Sequence, residues 1–461
     1  MRKKANLLRS LLLTFLLPII FCSAADGRII YVDNNGPADF NNIQAAIDNA
    51  NDGDTVLVAD GTYTGDGNRD IDFNGKAITV KSEFGSETCV IDCQGSPNDP
   101  HRGFNFHSHE DSNSVLQDFT ITGGHADDGG AIRCDSSSPT IKNCFVTNNF
   151  ASRGGGISTN YSNAKIIDCM IRKNIAYGAG GIWTYNLNIS DIVVIMNCII
   201  EGNYAITSNG GITGSGGAGG GIIVGGGGGG YNIVLNIINC TISGNHGYYA
   251  DGGIVFHTGA KVINSIILGN TEGFQYFANE VTISYRYRTD PRQPPSPNIS
   301  IEYSLIGKGT ESDFIFSYPE DANKLLVGEW IQGDPCFASQ GHWDTNGTIY
   351  DQLDDVWIDG DYHLKSQAGR FDPNTQSWVI DDVTSPCIDA GDPMSPIGLE
   401  PFPNGGRINM GAYGGTVEAS KSYFGEPLCE TIIAGDINGD CKVDFDDLKI
   451  LLSHWLEDNN L

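Results

Sequence analysis

The chain has 461 residues, 60 of them glycine, and 56 acidic against 27 basic residues, a formal net charge of -29. Such a balance excludes nucleic acid, whose binding depends on neutralising phosphates with Lys and Arg, and it disfavours docking on an anionic leaflet. An apolar content of 40% is enough to build a core.

Residues 1-25 read as a secretory signal. Arg2, Lys3 and Lys4 form a basic start, Leu11 to Phe21 an apolar run too short to span a bilayer, and Ser23-Ala24-Ala25 a small-residue cleavage site. The mature chain is expected to be secreted or held at the cell surface, with no transmembrane segment.

A repeat follows. Asn143-Cys144-Phe145-Val146-Thr147-Asn148-Asn149 recurs at Asp168-Cys169, Asn197-Cys198, Asn239-Cys240 and Asn264-Ser265, with a degenerate copy at Asp118-Phe119. The spacings are 25, 25, 29, 42 and 25 residues. After the copies at Asp118, Asn143, Asp168, Asn197 and Asn239 comes a Gly-Gly element: Gly129-Gly130-Ala131-Ile132, Gly154-Gly155-Gly156-Ile157, Gly180-Gly181-Ile182, Gly210-Gly211-Ile212 and Gly252-Gly253-Ile254. The intervening segments alternate apolar and polar with period two, so they are strands. A unit of this length cannot bury its own apolar face, so the units must stack into a solenoid. Two ladders are then expected, the first of them pointing inward. One is of free thiols at Cys144, Cys169, Cys198 and Cys240; the other is of Asn149, Asn174, Asn203, Asn245 and Asn270 at a tight turn. Phe40 to Ala50 is an amphipathic helix that caps the entrance, followed by Gly53-Asp54-Thr55-Val56-Leu57-Val58-Ala59-Asp60-Gly61-Thr62-Tyr63.

This entrance resembles that of pectin-lyase-like right-handed parallel β-helix proteins, and the Asn and Gly-Gly-Ile repeats resemble those of polymorphic outer-membrane proteins. The expected fold is therefore an all-β, right-handed parallel β-helix over residues 26-310. Residues 311-424 are expected to form its closing coils, with Cys336 and Cys387 as a candidate pair. Residues 210-230, fourteen of them Gly, read as a loop bulging from the coil.

The tail holds Asp436-Ile437-Asn438-Gly439-Asp440-Cys441-Lys442-Val443-Asp444-Phe445-Asp446-Asp447. Asp436, Asn438, Asp440, Asp444 and Asp447 with the Lys442 carbonyl supply an oxygen set suited to Ca²⁺. An amphipathic helix follows, with Leu448, Leu451, Leu452 and Trp455 on its apolar face. The spacing resembles one half of a type I dockerin over residues 425-461, which implies calcium as cofactor and a cohesin-like partner. Cys441 stands where such loops carry Gly.

On the solenoid surface, the outward positions of the strands after Gly-Gly-Ile are Arg133 and Asp135, Ser158 and Asn160, Trp183 and Tyr185, Val255 and His257. The preceding loops add His125, Asp127, Asp128, Arg153 and Tyr177. Aromatic faces stack on sugar rings, while Asp, Asn and Arg bond hydroxyls or carboxylates. Polysaccharide is the expected ligand. Asn160, Tyr177, Trp183, Tyr185 and His257 are the binding candidates, and Asp127, Asp128 and Arg153 the catalytic ones for a lyase or glycoside hydrolase. The rival reading is a non-enzymatic surface or adhesin-type protein.

Overall fold

The computed structural model describes residues 27–185, 192–206, 219–225, 233–247, 252–272, 277–278, 280–283, 299–307, 314–316, 325–347, 355–425, 435, 437 and 442–454. The signal segment 1-25 lies outside the described residues. The structure is a parallel β-solenoid whose coils stack strand on strand in sheets of 11, 10, 8 and 7 strands. One coil shows the plan: Thr140–Lys142, Phe145–Thr147, Phe150–Arg153 and Ile157–Asn160, each joining a different sheet.

Period-two alternation decides what goes inside. Val56, Val80, Leu116, Ile141, Ile166, Ile195, Ile237, Val262 and Ile301 stack in one column, all fully buried. Ile91, Ile121, Val146, Ile171, Ile200, Ile242, Ile267 and Ile306 form a second column facing the same core. The helix Ile43–Asn49 packs Ile43, Ala46 and Ile47 onto Ile29–Val32 and Thr55–Val58, and the Asn42 side chain accepts from the Ala45 N–H at its start.

Both polar ladders are present. The described cysteines are free thiols, so Cys336 and Cys387 are not paired. In the Cys ladder, Cys144 and Cys169 donate backbone N–H groups to the Sγ atoms of Cys169 and Cys198, and Cys240 donates to Ser265 Oγ. Burial pushes the Cys144 and Cys198 thiols well up. The Asn ladder runs inside the coil. Nδ2 of Asn149, Asn174, Asn203 and Asn245 donates to Oδ1 of the next member at 2.9–3.0 Å, and Asn270 ends the series on the buried carboxylate of Glu280 at 2.7 Å. The left-handed turn residue is the one before each ladder Asn: Asn148, Lys173, Gly202, Gly244 and Gly269. The second glycine of each Gly-Gly-Ile faces this ladder. A Cβ on Gly181 would sit 2.6 Å from the Gly221 carbonyl oxygen and 3.3 Å from Asn203 Nδ2.

Three expectations need correction. The residues taken as loops before Gly-Gly-Ile form a parallel sheet of their own, from His125–Asp128 through Phe150–Arg153, Ile175–Ala176 and Tyr204–Ala205 to His246–Gly247. The Gly-Gly-Ile of the fifth coil is Gly220-Gly221-Ile222, not Gly210-Gly211-Ile212, because Ile182 pairs with Ile222 and donates its N–H to Gly221 O. The stretch 210-230 is thus partly coil, and Gly210 and Gly211 lie outside the described residues.

Residues 311-424 are also not all closing coils. Leu325–Val327 and Trp330–Ile331 continue the solenoid, but the strands from Phe337–Ser339 to Ser377–Val379 pair antiparallel along its flank, and residues 380–424 follow them as turns without strands. They bury Phe337, Tyr362, Leu364, Cys387, Ile388, Met410 and Ala412 against Ile199, Ile266 and Leu305. Asp359 pairs with Arg172 at 3.1 Å and Lys173 at 2.8 Å, and Trp343 Nε1 donates to Gly244 O. The outward face of the sheet that starts each repeat, where Glu201, Thr241 and Ser243 are fully buried, is therefore an interface rather than a binding surface.

Candidate functional site

The strands Ile132–Asp135, Ile157–Asn160 and Ile182–Tyr185 lie side by side in register. Arg133, Ser158 and Trp183 form one outward column, and Asp135, Asn160 and Tyr185 the next. Inward positions Ile132, Cys134, Ile157, Thr159, Ile182 and Thr184 are buried, so alternation fixes which side chains reach the surface.

A cavity of about 150 Å³ opens on this face, lined by Asp128, Arg133, Arg153, Ser158, Asn160, Trp183 and Tyr185. Five of the eight sequence candidates for this strip meet there. Arg153 makes a two-pronged ion pair with Asp128 of the preceding coil, Nε to Oδ1 at 2.6 Å and Nη2 to Oδ2 at 2.9 Å. Arg133 donates to Asp135 Oδ2 and Asn105 Oδ1. Asn160 Nδ2 donates to Asp135 Oδ1 at 2.9 Å. The rings of Trp183 and Tyr185 are 6.2 Å apart and tilted by 43°. Trp183 is partly buried and packs against Ala179, Ile223 and Val255, so its indole is partly structural. Asn160 Oδ1 and Trp183 Nε1 are shielded from solvent and have no hydrogen-bond partner among the described residues. Unmet polar atoms beside an aromatic face are costly unless a ligand satisfies them.

The other three candidates lie apart. Asp127 is exposed on the neighbouring strand. Tyr177 is half-exposed and stands edge-on to Phe150 at 5.4 Å. His257 lies at the height of Tyr185 two coils on, its N–H bonded to Val224 O, but it does not line the cavity. Asp127 does flank His125, which stacks on Phe150 at 4.5 Å and whose pKa is lowered by burial against the charge of Asp127.

Arg102 was not singled out from the sequence. It precedes Phe104–Phe106, the strand that pairs with Ile132–Asp135. Burial, followed by the positive charge of Arg133, pulls its guanidinium below the ordinary value, with Asp70, Asp128 and Asp127 acting in the opposite sense. Its coil lacks the Gly-Gly-Ile signature, and only the strand register shows that Arg102 occupies the position of Gly130.

In the tail, Asp436, Asn438 and Asp440 lie outside the described residues, as do Cys441 and Trp455. Of the remaining proposed ligands, Lys442 and Asp444 precede the helix Phe445–His454 and Asp447 sits in its first turn. The buried carboxylate of Asp447 accepts from Ile437 N–H at 2.6 Å and Asp444 N–H at 2.7 Å, closing the loop between its second and last positions. Leu448, Leu451 and Leu452 are exposed.

A family model described as disaggregatase related matches residues 341–391, within the flank hairpins. No curated protein matches the chain. Among solved structures, pectate lyase Pel9A is similar at 17% identity and a TM-score of 0.40, over 84% of this chain and 96% of its own. A rhamnogalacturonan lyase is similar at 14% identity and a TM-score of 0.43, over 78% of this chain and 96% of its own.

Proposed function

We propose that this is a secreted β-solenoid protein that binds polysaccharide in the groove between Arg153 and Tyr185. The observation that carries the reading is the cavity itself, lined by an aromatic pair and two guanidinium groups. Trp183 and Tyr185 offer stacking faces. Arg133 and Arg153 favour an acidic sugar. Both carboxylate oxygens of Asp128 are engaged by Arg153, so the pair is read as a positioning element of the groove. This pairing favours binding over hydrolysis by the Asp127, Asp128 and Arg153 set. His125, stacked on Phe150 and with its pKa lowered by burial, does not line the cavity and has no part in this reading. A calcium site at Asp436, Asn438, Asp440, Lys442, Asp444 and Asp447, docking onto a cohesin-like partner, is the corresponding proposal for the tail.

Retention on a panel of acidic and neutral glycans tests the groove. Tyr185→Ala is expected to lose retention with little change in thermal unfolding. Trp183→Ala is expected to lose both, because its indole also packs on Val255. Equal retention of Tyr185→Ala and the wild type on every glycan would exclude the groove. Release of unsaturated or reducing ends from the retained glycan separates an enzyme from a binding protein.

A further inference from the structure

The flank meets the solenoid through ionisable groups as well as apolar ones. Glu201, on the outward side of the strand Ile199–Glu201, is fully buried beneath the hairpins. Its Oε1 lies 3.5 Å from Arg172 Nη1, and its Oε2 accepts from Gly360 N–H at 3.4 Å, both long for such contacts. Asp359, the residue before Gly360, takes the better share of the cations, Arg172 at 3.1 Å and Lys173 at 2.8 Å. The buried Tyr362 hydroxyl lies beside both Glu201 and Ser243. Burial pushes the Glu201 carboxyl above its ordinary value, helped by Asp359 and opposed by Tyr362, Arg172 and the Gly360 N–H.

The next residue along, His363, is buried and clasped within the flank. Its Nδ1 lies 2.6 Å from Asp361 Oδ1 and its Nε2 3.3 Å from Glu418 Oε2, while its ring lies flat on Tyr413 at 3.6 Å. Arg370 joins Asp361 to Asp381 behind this pair. An imidazole donates from both nitrogens only when it is protonated. Burial opposes that charge, but the bonds to Asp361 and Glu418 outweigh it and raise the pKa.

Both groups therefore keep a proton more firmly when the flank is closed than when it is open. The Glu201 contribution is complete below its ordinary value of 4.5 and is lost as pH rises through the raised one. The His363 contribution is complete below 6.5 and is lost in the same direction. His246, whose stacking partner Tyr204 meets Trp343 of the flank, acts in the opposite sense and only below pH 6.5.

We propose that the flank is a pH-governed cover, closed on the solenoid while Glu201 and His363 hold their protons and loosened as they lose them. Loosening bares the outward face around Glu201, Thr241 and Ser243, so access to that face depends on pH. This face belongs to the 10-stranded sheet, whereas the groove lies on the 8-stranded one, so the proposal stands apart from glycan binding.

The test is native-state hydrogen exchange of the full chain from about pH 5 to 9, read by mass spectrometry and corrected for the intrinsic pH dependence of exchange. Peptides before Asn143 serve as the internal reference. Protection over residues 356–364 is expected to fall against that reference as pH rises, about tenfold for each unit by which a closed-state pKa exceeds the ordinary one. Glu201→Gln and His363→Gln cannot change charge in this window. Each should remove part of the fall, and the double variant nearly all of it, whereas a merely structural loss would lower protection equally at every pH. If the His363 variant does not fold, Glu418→Gln weakens the same clasp and should move the fall to lower pH. Protection over residues 356–364 of the wild type that is constant or rises with pH would overturn the proposal without any variant. A fall that persists unchanged in the double variant would overturn it as well.

Discussion

Asn203→Ala should destabilise the solenoid more than any surface substitution. Asn203 is fully buried at the middle of the ladder, and its amide uses its full hydrogen-bonding capacity. Nδ2 donates to Asn245 Oδ1 at 2.9 Å and Ile171 O at 2.8 Å; Oδ1 accepts from Asn174 Nδ2 at 3.0 Å and Asn174 N–H at 3.1 Å. At about 1 kcal/mol net per bond, the four together contribute about 4 kcal/mol, before the cost of leaving the Asn174 N–H unmet in a fully buried site. Asn203→Asp separates hydrogen bonding from packing. A carboxylate there still accepts from Asn174, but it has no proton to donate to Asn245 or Ile171. It should be at least as damaging as Ala near neutral pH and partly recover in acid, where it is protonated. Because each coil touches only its neighbours, the effect is local, and native-state hydrogen exchange at the Asn174 amide reads it directly. A loss of protection worth less than about 1 kcal/mol would refute the claim that the ladder, rather than the Ile columns alone, holds the coils in register.

The parts of this structure that were legible in the sequence are those where one residue type must recur at one height. Stacking turns the inward Ile and Val positions into columns, and it turns Cys144 to Cys240 and Asn149 to Asn270 into ladders. The Gly of Gly-Gly-Ile is forced by the ladder it faces. Alternation likewise gave the outward row of Arg133, Ser158, Trp183, Asp135, Asn160 and Tyr185, hence most of the cavity. Illegible were elements too short to show a period. Ile175–Ala176 is a two-residue strand, and its sheet exists only because neighbouring coils pair with it. The register slip at Gly210 arose because a run of glycines offers several equivalent Gly-Gly pairs. The flank hairpins left one trace that alignment of the repeats does contain. The turn position that holds Asn148 and Lys173 becomes Gly at 202 and 244, where a Cβ would lie 2.5 Å and 1.8 Å from the Trp357 ring. A change from polar side chain to none on an outer corner signals that something covers it.

That corner gives a direct test of the flank. Gly244→Ala should displace Trp357 and expose the apolar surface around Tyr362 and Phe337, read as faster proteolysis within residues 337–424 with the coils before Asn143 still protected; unchanged cleavage would mean the hairpins do not depend on this contact. A pH test follows from His246, which is fully buried, stacks on Tyr204 at 5.0 Å and is held down to about 4 by burial. The unfolded chain takes up this proton near pH 6.5, whereas the folded chain refuses it until about pH 4. The contribution is therefore complete above pH 6.5 and is lost as pH falls toward 4, by about 1.4 kcal/mol per unit and roughly 3 kcal/mol in all. Unfolding of the full chain compared with His246→Asn across this window should show the wild type losing stability more steeply on acidification. Parallel curves would mean that His246 titrates alike in the folded and unfolded chain, which would refute the claim that burial holds its proton off.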